Sequence, residues 1–326
     1  MIDQNIIFNI ENATEFQNVA LEVFKFQFKN NRVYRSFCDL INKHPSDVKT
    51  IRDIPFLPIQ FFKSHKVVSG NSDPETIFTS SGTTGDITSK HYINDLNLYE
   101  QSFQKGFHNF YGNIEDYVVL ALLPSYLERE GSSLVYMVNA LITQSNASES
   151  GFYLNNLSEL KHKLIRLDAE GKKMLLIGVS FALLDLVENA SFNLKNTIVM
   201  ETGGMKGRRK ELIREELHDK LSKGFGIENI HSEYGMTELL SQAYSKGNGI
   251  FHCPPWMKIL TRNTEDPLSI QKHEKAGGIN VIDLANMNSC SFIATQDLGR
   301  VYNDDSFEII GRFDNSDIRG CNLMVL

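Results

Sequence analysis

No apolar run in this chain reaches the roughly 18 residues that would cross a bilayer. The opening residues, with Met1, Asp3 and Glu11, also lack a basic stretch followed by an apolar core. Neither a membrane span nor a secretory leader is expected, which points to a cytoplasmic protein. Cysteine is scarce, and Cys38, Cys253, Cys290 and Cys321 are scattered with no C-x-x-C pair, a pattern of reduced thiols rather than of a disulfide frame or a zinc site. Basic residues are outnumbered, 33 Lys and Arg against 40 Asp and Glu, for a net charge of -7. A duplex reader needs a basic face, so nucleic acid is not an expected partner. Two phosphate-binding formulas are missing as well. A G-x-x-x-x-G-K-[ST] run starting at Gly82 would need glycine where Ile87 stands, and no G-x-G-x-x-G occurs. Internal repeats and low-complexity tracts are absent too.

The residues present suffice for a large core. The 326 residues are 41% hydrophobic and 22% charged, which suits one or two globular domains. Phe16, Val19, Ala20, Val23 and Phe24 repeat at helical spacing, and Pro45, Pro55 and Pro58 punctuate the next stretch of chain. A second helical face runs through Leu96, Tyr99, Phe103, Phe107 and Phe110, with Asn94 or Asp95 as its cap. Short apolar runs at 117–123, 174–179, 197–201 and 279–284 read as strands, separated by helical patterns such as Leu212, Ile213, Leu217 and Leu221. Alternation of this kind predicts an α/β fold with largely parallel sheets. From about residue 240 the chain turns β-rich, with short strands expected at 291–295 and 306–311. The expected divisions are a helical preface over 1–75, an α/β core over 76–239, a β-rich subdomain over 240–312 and a mobile tail over 313–326.

Chemistry is suggested by three clusters. Ser80, Ser81, Gly82, Thr83, Thr84 and Gly85 come directly after the run Thr76–Thr79. Glycines let a backbone curl its N–H groups around a polyanion, and small hydroxyls add donors without bulk. The second cluster is Glu233-Tyr234-Gly235-Met236-Thr237-Glu238, preceded by His231: an aromatic to stack on a base, a glycine for close approach, a hydroxyl and a carboxylate suited to Mg²⁺. The third places Asp297, able to accept ribose hydroxyls, before the run ending in Arg312 and Asp314. Gly203 and Gly204 lie between the first two. Plainer roles stay open: packing for Tyr234 and for the single Trp256, a helix-entry carboxylate for Glu238, a structural role for His231, and a solvated face for Lys206, Arg208, Arg209 and Lys210.

In this order the clusters resemble the adenylate-forming superfamily of acyl-CoA synthetases, luciferases and nonribosomal peptide adenylation domains, over about residues 76 to 320. The resemblance implies that Ser80 to Gly85 hold the β- and γ-phosphates of ATP, and that Gly203, Gly204 and Tyr234 border adenine, with Glu233, Gly235 and Met236 in the same nucleotide site. It further implies that Thr237 touches the α-phosphate, Glu238 binds Mg²⁺, Asp297 binds ribose and Arg312 marks a hinge. Two positions depart from the pattern: Thr88 stands where the family has lysine, with Lys90 nearby, and Gln296 where it has glycine. Only residues 313–326 come after Arg312, so the fold implied has two α/β subdomains and a small β-rich one without the C-terminal lid domain. Cys321 in that tail, together with Cys253-Pro254-Pro255-Trp256-Met257, is similar to the acyl-protein synthetases of the bacterial luminescence fatty acid reductase complex. That branch implies an ATP-dependent ligase that activates a carboxylic acid, expected to be a fatty acid, as acyl-AMP. Cys321 would then carry the acyl group as a thioester to an acyl-CoA-reductase-like acceptor protein. An acyl- or aryl-CoA ligase is the nearest alternative. A remoter one is a serine hydrolase, from Gly178-Val179-Ser180-Phe181-Ala182, which imitates a nucleophile elbow.

Overall fold

The computed structural model describes residues 4–80, 87–123, 131–153, 156–203 and 212–313. They gather into two compact units, one formed by the chain up to Pro74 with His91–Asn94 and the chain from Pro255, the other by Glu75–Lys90 and Asp95–Pro254.

The second unit is the α/β part. Its parallel strands lie in the order Gly151–Phe152, Val118–Leu122, Met174–Val179, Thr197–Thr202 and His231–Tyr234. Antiparallel Ala243–Ser245 and Ile250–His252 come next in the sheet. Every residue of Val118–Leu122 and Met174–Val179 is buried, because the helices Ser133–Gln144, Leu157–Ala169, Ser180–Glu188 and Arg214–Phe225 connect successive parallel strands and must lie on the sheet's faces. The aromatic face seen in the sequence forms helix Leu96–Tyr111, with Asp95 as its cap: the Leu98 N–H donates to Asp95 Oδ1 at 3.3 Å. The periodic residues Leu217 and Leu221 are buried on Arg214–Phe225, whereas Ile213 precedes that helix and is 63% exposed.

In the first unit the helical preface and the β-rich segment, separated in sequence by the whole α/β part, fold together. Antiparallel strands Met257–Arg262, Ala276–Asp283, Phe292–Val301 and Phe307–Arg312 form its sheet, and Leu57–Pro58 pairs parallel to the third. Phe292–Val301 runs well beyond the strand expected at 291–295. Its second half alternates half-buried and buried positions, with Gln296 and Arg300 on the more open face. Helix Ala13–Asn30 is capped by Asn12, whose Oδ1 accepts the Glu15 N–H at 3.0 Å, while Glu15 Oε2 reaches back to the N–H of Glu11 at 2.9 Å. One side chain fastens this helix to the β-rich segment. Buried Gln27 donates to the carbonyls of Asn286 and Met287 (3.1 and 2.9 Å) and accepts from the Ser291 N–H at 3.0 Å. Nearby Tyr34 stacks on Phe292 at 6.0 Å, and Phe8 meets buried Trp256 edge-on at 5.0 Å, so Trp256 is a packing residue. Cys38 and Cys290 are buried, with thiols pushed up by desolvation, Cys38 to about 12; Cys253 is half-buried. No helix among the described residues is long and apolar enough to cross a membrane.

Gln27→Met keeps the volume but strips partners from buried backbone groups, each costing about 1–3 kcal/mol. A fall in the urea midpoint with an unchanged slope is expected; an unchanged midpoint would show that the fastening is dispensable.

Candidate functional site

Parallel strands buried on both faces cannot present polar side chains along their length, so their chemistry collects where they end. The register places Gly178 beside Glu201, Val179 beside Thr202, and Thr202 beside Glu233. Ser180, Gly203 and Tyr234 therefore emerge at neighbouring carboxyl ends.

Just below that edge lies a buried polar layer. The Ser180 hydroxyl, 2% exposed as a residue, has one proton to offer Glu201 Oε2 at 3.0 Å or the Gly203 carbonyl at 2.8 Å. On the other side of Glu201, His218 Nε2 lies 3.6 Å from Oε1 and 3.4 Å from the Ser232 hydroxyl. Ser180 is thus a donor to a carboxylate and a carbonyl, with no histidine among the described residues bonded to it to take its proton, and its φ is not positive as a strained elbow would require. This geometry does not make a hydrolase nucleophile.

Glu233 is fixed by the Thr202 hydroxyl, which donates to Oε2. Burial pushes its carboxyl up to about 7, with neighbouring Glu201 adding to the rise against the lowering from Thr202. Gly235 makes this fit possible, since a Cβ there would stand 2.3 Å from Glu233 Oε1. Gln242 lies beside the same glycine, 6% exposed, and its Oε1 has no hydrogen-bond partner among the described residues. Tyr234 is half-buried, its ring 6.0 Å from Phe251. Met236, Thr237 and Glu238 come next in a loop with one turn, Leu239 N–H to Met236 carbonyl at 3.1 Å. Glu238 is therefore not a helix-entry carboxylate; it is 6% exposed. His231 sits at the opposite end of its strand, where Tyr111 shares a hydrogen bond with Nδ1 at 3.2 Å and desolvation, helped by Lys246, lowers it to about 4.

The phosphate-loop candidate is described only at its margin. Ser80 and Ser89 close its base, with the Ser80 N–H donating to the Ser89 carbonyl at 3.1 Å and the Ser89 N–H to Ser80 Oγ at 2.8 Å. Ser81, Gly82, Thr83, Thr84, Gly85, Gly204, the basic run from Lys206 to Lys210, Asp314 and Cys321 lie outside the described residues. In the first unit, Asp297 and Arg312 occupy paired positions of adjacent strands, Arg312 Nε 3.2 Å from Asp297 Oδ1. Asp297 is 8% exposed and the Arg312 side chain 76%, a geometry in which the pair adds little to stability. Among the described residues no group of three or more His, Cys, Asp or Glu could hold a metal ion.

Sequence reading missed Glu201, His218 and Gln242, and gave Ser180 another role. The available signal was a carboxylate closing the otherwise apolar strand Thr197–Thr202.

Known proteins share both the sequence pattern and the fold. The family model described as "Acyl-protein synthetase, LuxE" matches residues 8–326. A long-chain-fatty-acid–luciferin-component ligase of Vibrio harveyi is 24% identical over 92% of this chain and 84% of its own. The ligase of the same description from Photorhabdus luminescens is 33% identical over 21% of this chain and 60% of its own. Among solved structures, 2-hydroxyisobutyryl-CoA ligase with its acyl-adenylate gives a TM-score of 0.71 at 13% identity, covering 93% of this chain and 68% of that one. ATP-bound MatB from Rhodopseudomonas palustris gives 0.56 at 16%, covering 75% of this chain, which spans about half (49%) of MatB. At these identities the structural likeness is one of fold.

Because the folded value of Glu233 lies above the free value of 4.5, its contribution to stability is complete below that value and is lost as pH rises through about 7. Glu233→Gln removes this dependence. Between about pH 5 and about pH 8 its thermal midpoint should fall less than that of the parent protein; parallel curves would refute the assignment.

Proposed function

Because the chain belongs to the LuxE acyl-protein synthetase family and has the fold of adenylate-forming ligases, we propose that it couples a fatty acid to its own Cys321 at the expense of ATP. A carboxylate oxygen attacks the α-phosphorus of MgATP, the bond to the β-phosphate bridging oxygen breaks, and pyrophosphate leaves. The Cys321 sulfur then attacks the carbonyl carbon of the acyl-AMP, its proton passes to solvent, and AMP departs with the electrons of the carbon–oxygen bond. The thioester is handed to an acyl-CoA-reductase-like acceptor protein.

The observation that carries this reading is the convergence of Gly203, Tyr234 and Gly235, distant in sequence, at the carboxyl ends of neighbouring parallel strands. Tyr234 and Gly203, with Gly204, border the adenine. Met236 continues that wall, and the Thr237 hydroxyl meets the α-phosphate. Glu238 would hold a Mg²⁺ ion, which when bound would shield the phosphate oxygens. Ser80, Ser81, Gly82, Thr83, Thr84 and Gly85 cradle the β- and γ-phosphates, Asp297 takes the ribose hydroxyls, and Arg312 sits at the pivot of the tail. With its carboxyl near 7, Glu233 is protonated about half the time at neutral pH, which spares an incoming triphosphate a full negative charge beside Glu201.

Incubation with ATP and tetradecanoic acid should add one acyl mass to the tail peptide. Cys321→Ser should lose that adduct while ATP–pyrophosphate exchange survives, and Thr237→Ala should lower exchange roughly a hundredfold. An adduct that persists in Cys321→Ser, or acyl appearing on added coenzyme A in its place, would overturn the transfer step.

A further inference from the structure

Strand Met257–Arg262 ends on an arginine that is only 8% exposed. Its guanidinium reaches across the sheet. One nitrogen, Nη1, donates to the Ile279 carbonyl at 2.7 Å and to Asn280 Oδ1 at 2.9 Å, and Nη2 donates to the Thr295 carbonyl at 2.6 Å. Arg262 therefore ties together Ala276–Asp283 and Phe292–Val301 at the point where their pairing register shifts, between Gly278 and Asn280. Gly278 leaves the space, since a Cβ there would stand 2.5 Å from Arg262 Cζ.

The fastening leads directly to Asp297. The Thr295 hydroxyl donates to the same Ile279 carbonyl at 3.0 Å and accepts the Asp297 N–H at 3.1 Å. The far face of the guanidinium lies 5.5 Å from the Phe313 ring, and the Phe313 N–H donates to the Gln296 carbonyl at 2.7 Å. The backbone on both sides of Asp297 is thereby fixed, as is the residue after Arg312. We propose that Arg262 is a positioning residue: it holds the Asp297 carboxylate in the attitude that grips a nucleotide ribose, an inference resting on the adenylation reading of the site. Lysine replaces it only in part, because a single ammonium does not span acceptors on two strands in one plane.

The test is the preference for ATP over 2′-deoxy- and 3′-deoxy-ATP, read both by calorimetric binding of the Mg²⁺ complexes and by carboxylate-dependent pyrophosphate exchange. Arg262→Met should raise KM for ATP tenfold or more with kcat within about threefold, and leave KM for the deoxy analogues nearly unchanged, so that the preference collapses. Asp297→Asn should give the same collapse, and the double variant should add nothing to it. Arg262→Lys, the gentler change if methionine unfolds the protein, should lose the preference in part. A folded Arg262→Met or Arg262→Lys that keeps the ribose preference, or loses kcat with KM unchanged, overturns the assignment. Absence of exchange in the parent protein, with a ribose preference in binding that the Arg262 variants lose, overturns the adenylation reading and leaves this assignment standing.

Discussion

Burial of a parallel sheet on both faces is the constraint on which the site depends. Val118–Leu122 and Met174–Val179 are buried at every position, so no side chain along them can meet water or ligand. Polar groups are admitted only at the last turn of each strand, where the chain leaves the core and backbone N–H and carbonyl groups lose their ladder partners. Ser180, Glu201, Gly203 and Glu233 all fall within that band, and the register makes them neighbours without any need for them to be close in sequence. A buried carboxylate costs several kcal/mol unless it is hydrogen-bonded or protonated. Both remedies are in use, with Ser180 donating to Glu201 and Glu233 taking a proton near neutrality.

The antiparallel sheet of the first unit solves a related problem by another route. Its central strands carry a bulge, and a bulge breaks the ladder and leaves carbonyls without partners. Arg262 supplies the missing donors from a third strand, at the cost of burying a guanidinium and of leaving Asn280 Nδ2 without a hydrogen bond among the described residues. An apolar residue would avoid that cost but would take the Arg262 donor from the Thr295 carbonyl and leave the Ile279 carbonyl only the Thr295 hydroxyl, so the arginine is retained for geometry rather than for stability.

Much of this is legible in the sequence, for physical reasons that differ by element. Met174–Val179 reads with its correct ends because a continuous apolar run admits only a buried strand there, and Leu96–Tyr111 because five aromatic and aliphatic side chains recur at helical spacing. Phe292–Val301 reads too short because its outer half is half-solvated and looks like motif rather than strand. The union of the helical preface with the β-rich segment is invisible. It depends on Gln27 meeting carbonyls of residues 286 and 287, and no local pattern records a contact across that sequence separation. Within the site, residues carried by glycine-rich or mixed polar motifs stand out, whereas Glu201 and Arg262 stay hidden, since one charged residue at the end of an apolar strand looks like the start of a turn.

A net charge of -7 sets a last condition on any reading in which a nucleotide triphosphate is the substrate. At physiological salt the Debye length is about 8 Å, so the overall field neither attracts nor strongly repels ATP beyond its immediate surroundings. Recognition must then come from short-range donors: backbone N–H groups, hydroxyls and the metal that the nucleotide brings. Such donors need close placement to be worth anything, because a hydrogen bond weakens steeply with misalignment where a diffuse positive field would not. In such a reading the three motif regions each have a second layer that holds their polar groups, Glu233 by Thr202, Ser80 by Ser89, and Asp297 through Thr295 by Arg262. An acidic protein that handles a polyanion depends less on its charge than on the rigidity with which a few neutral dipoles are aimed.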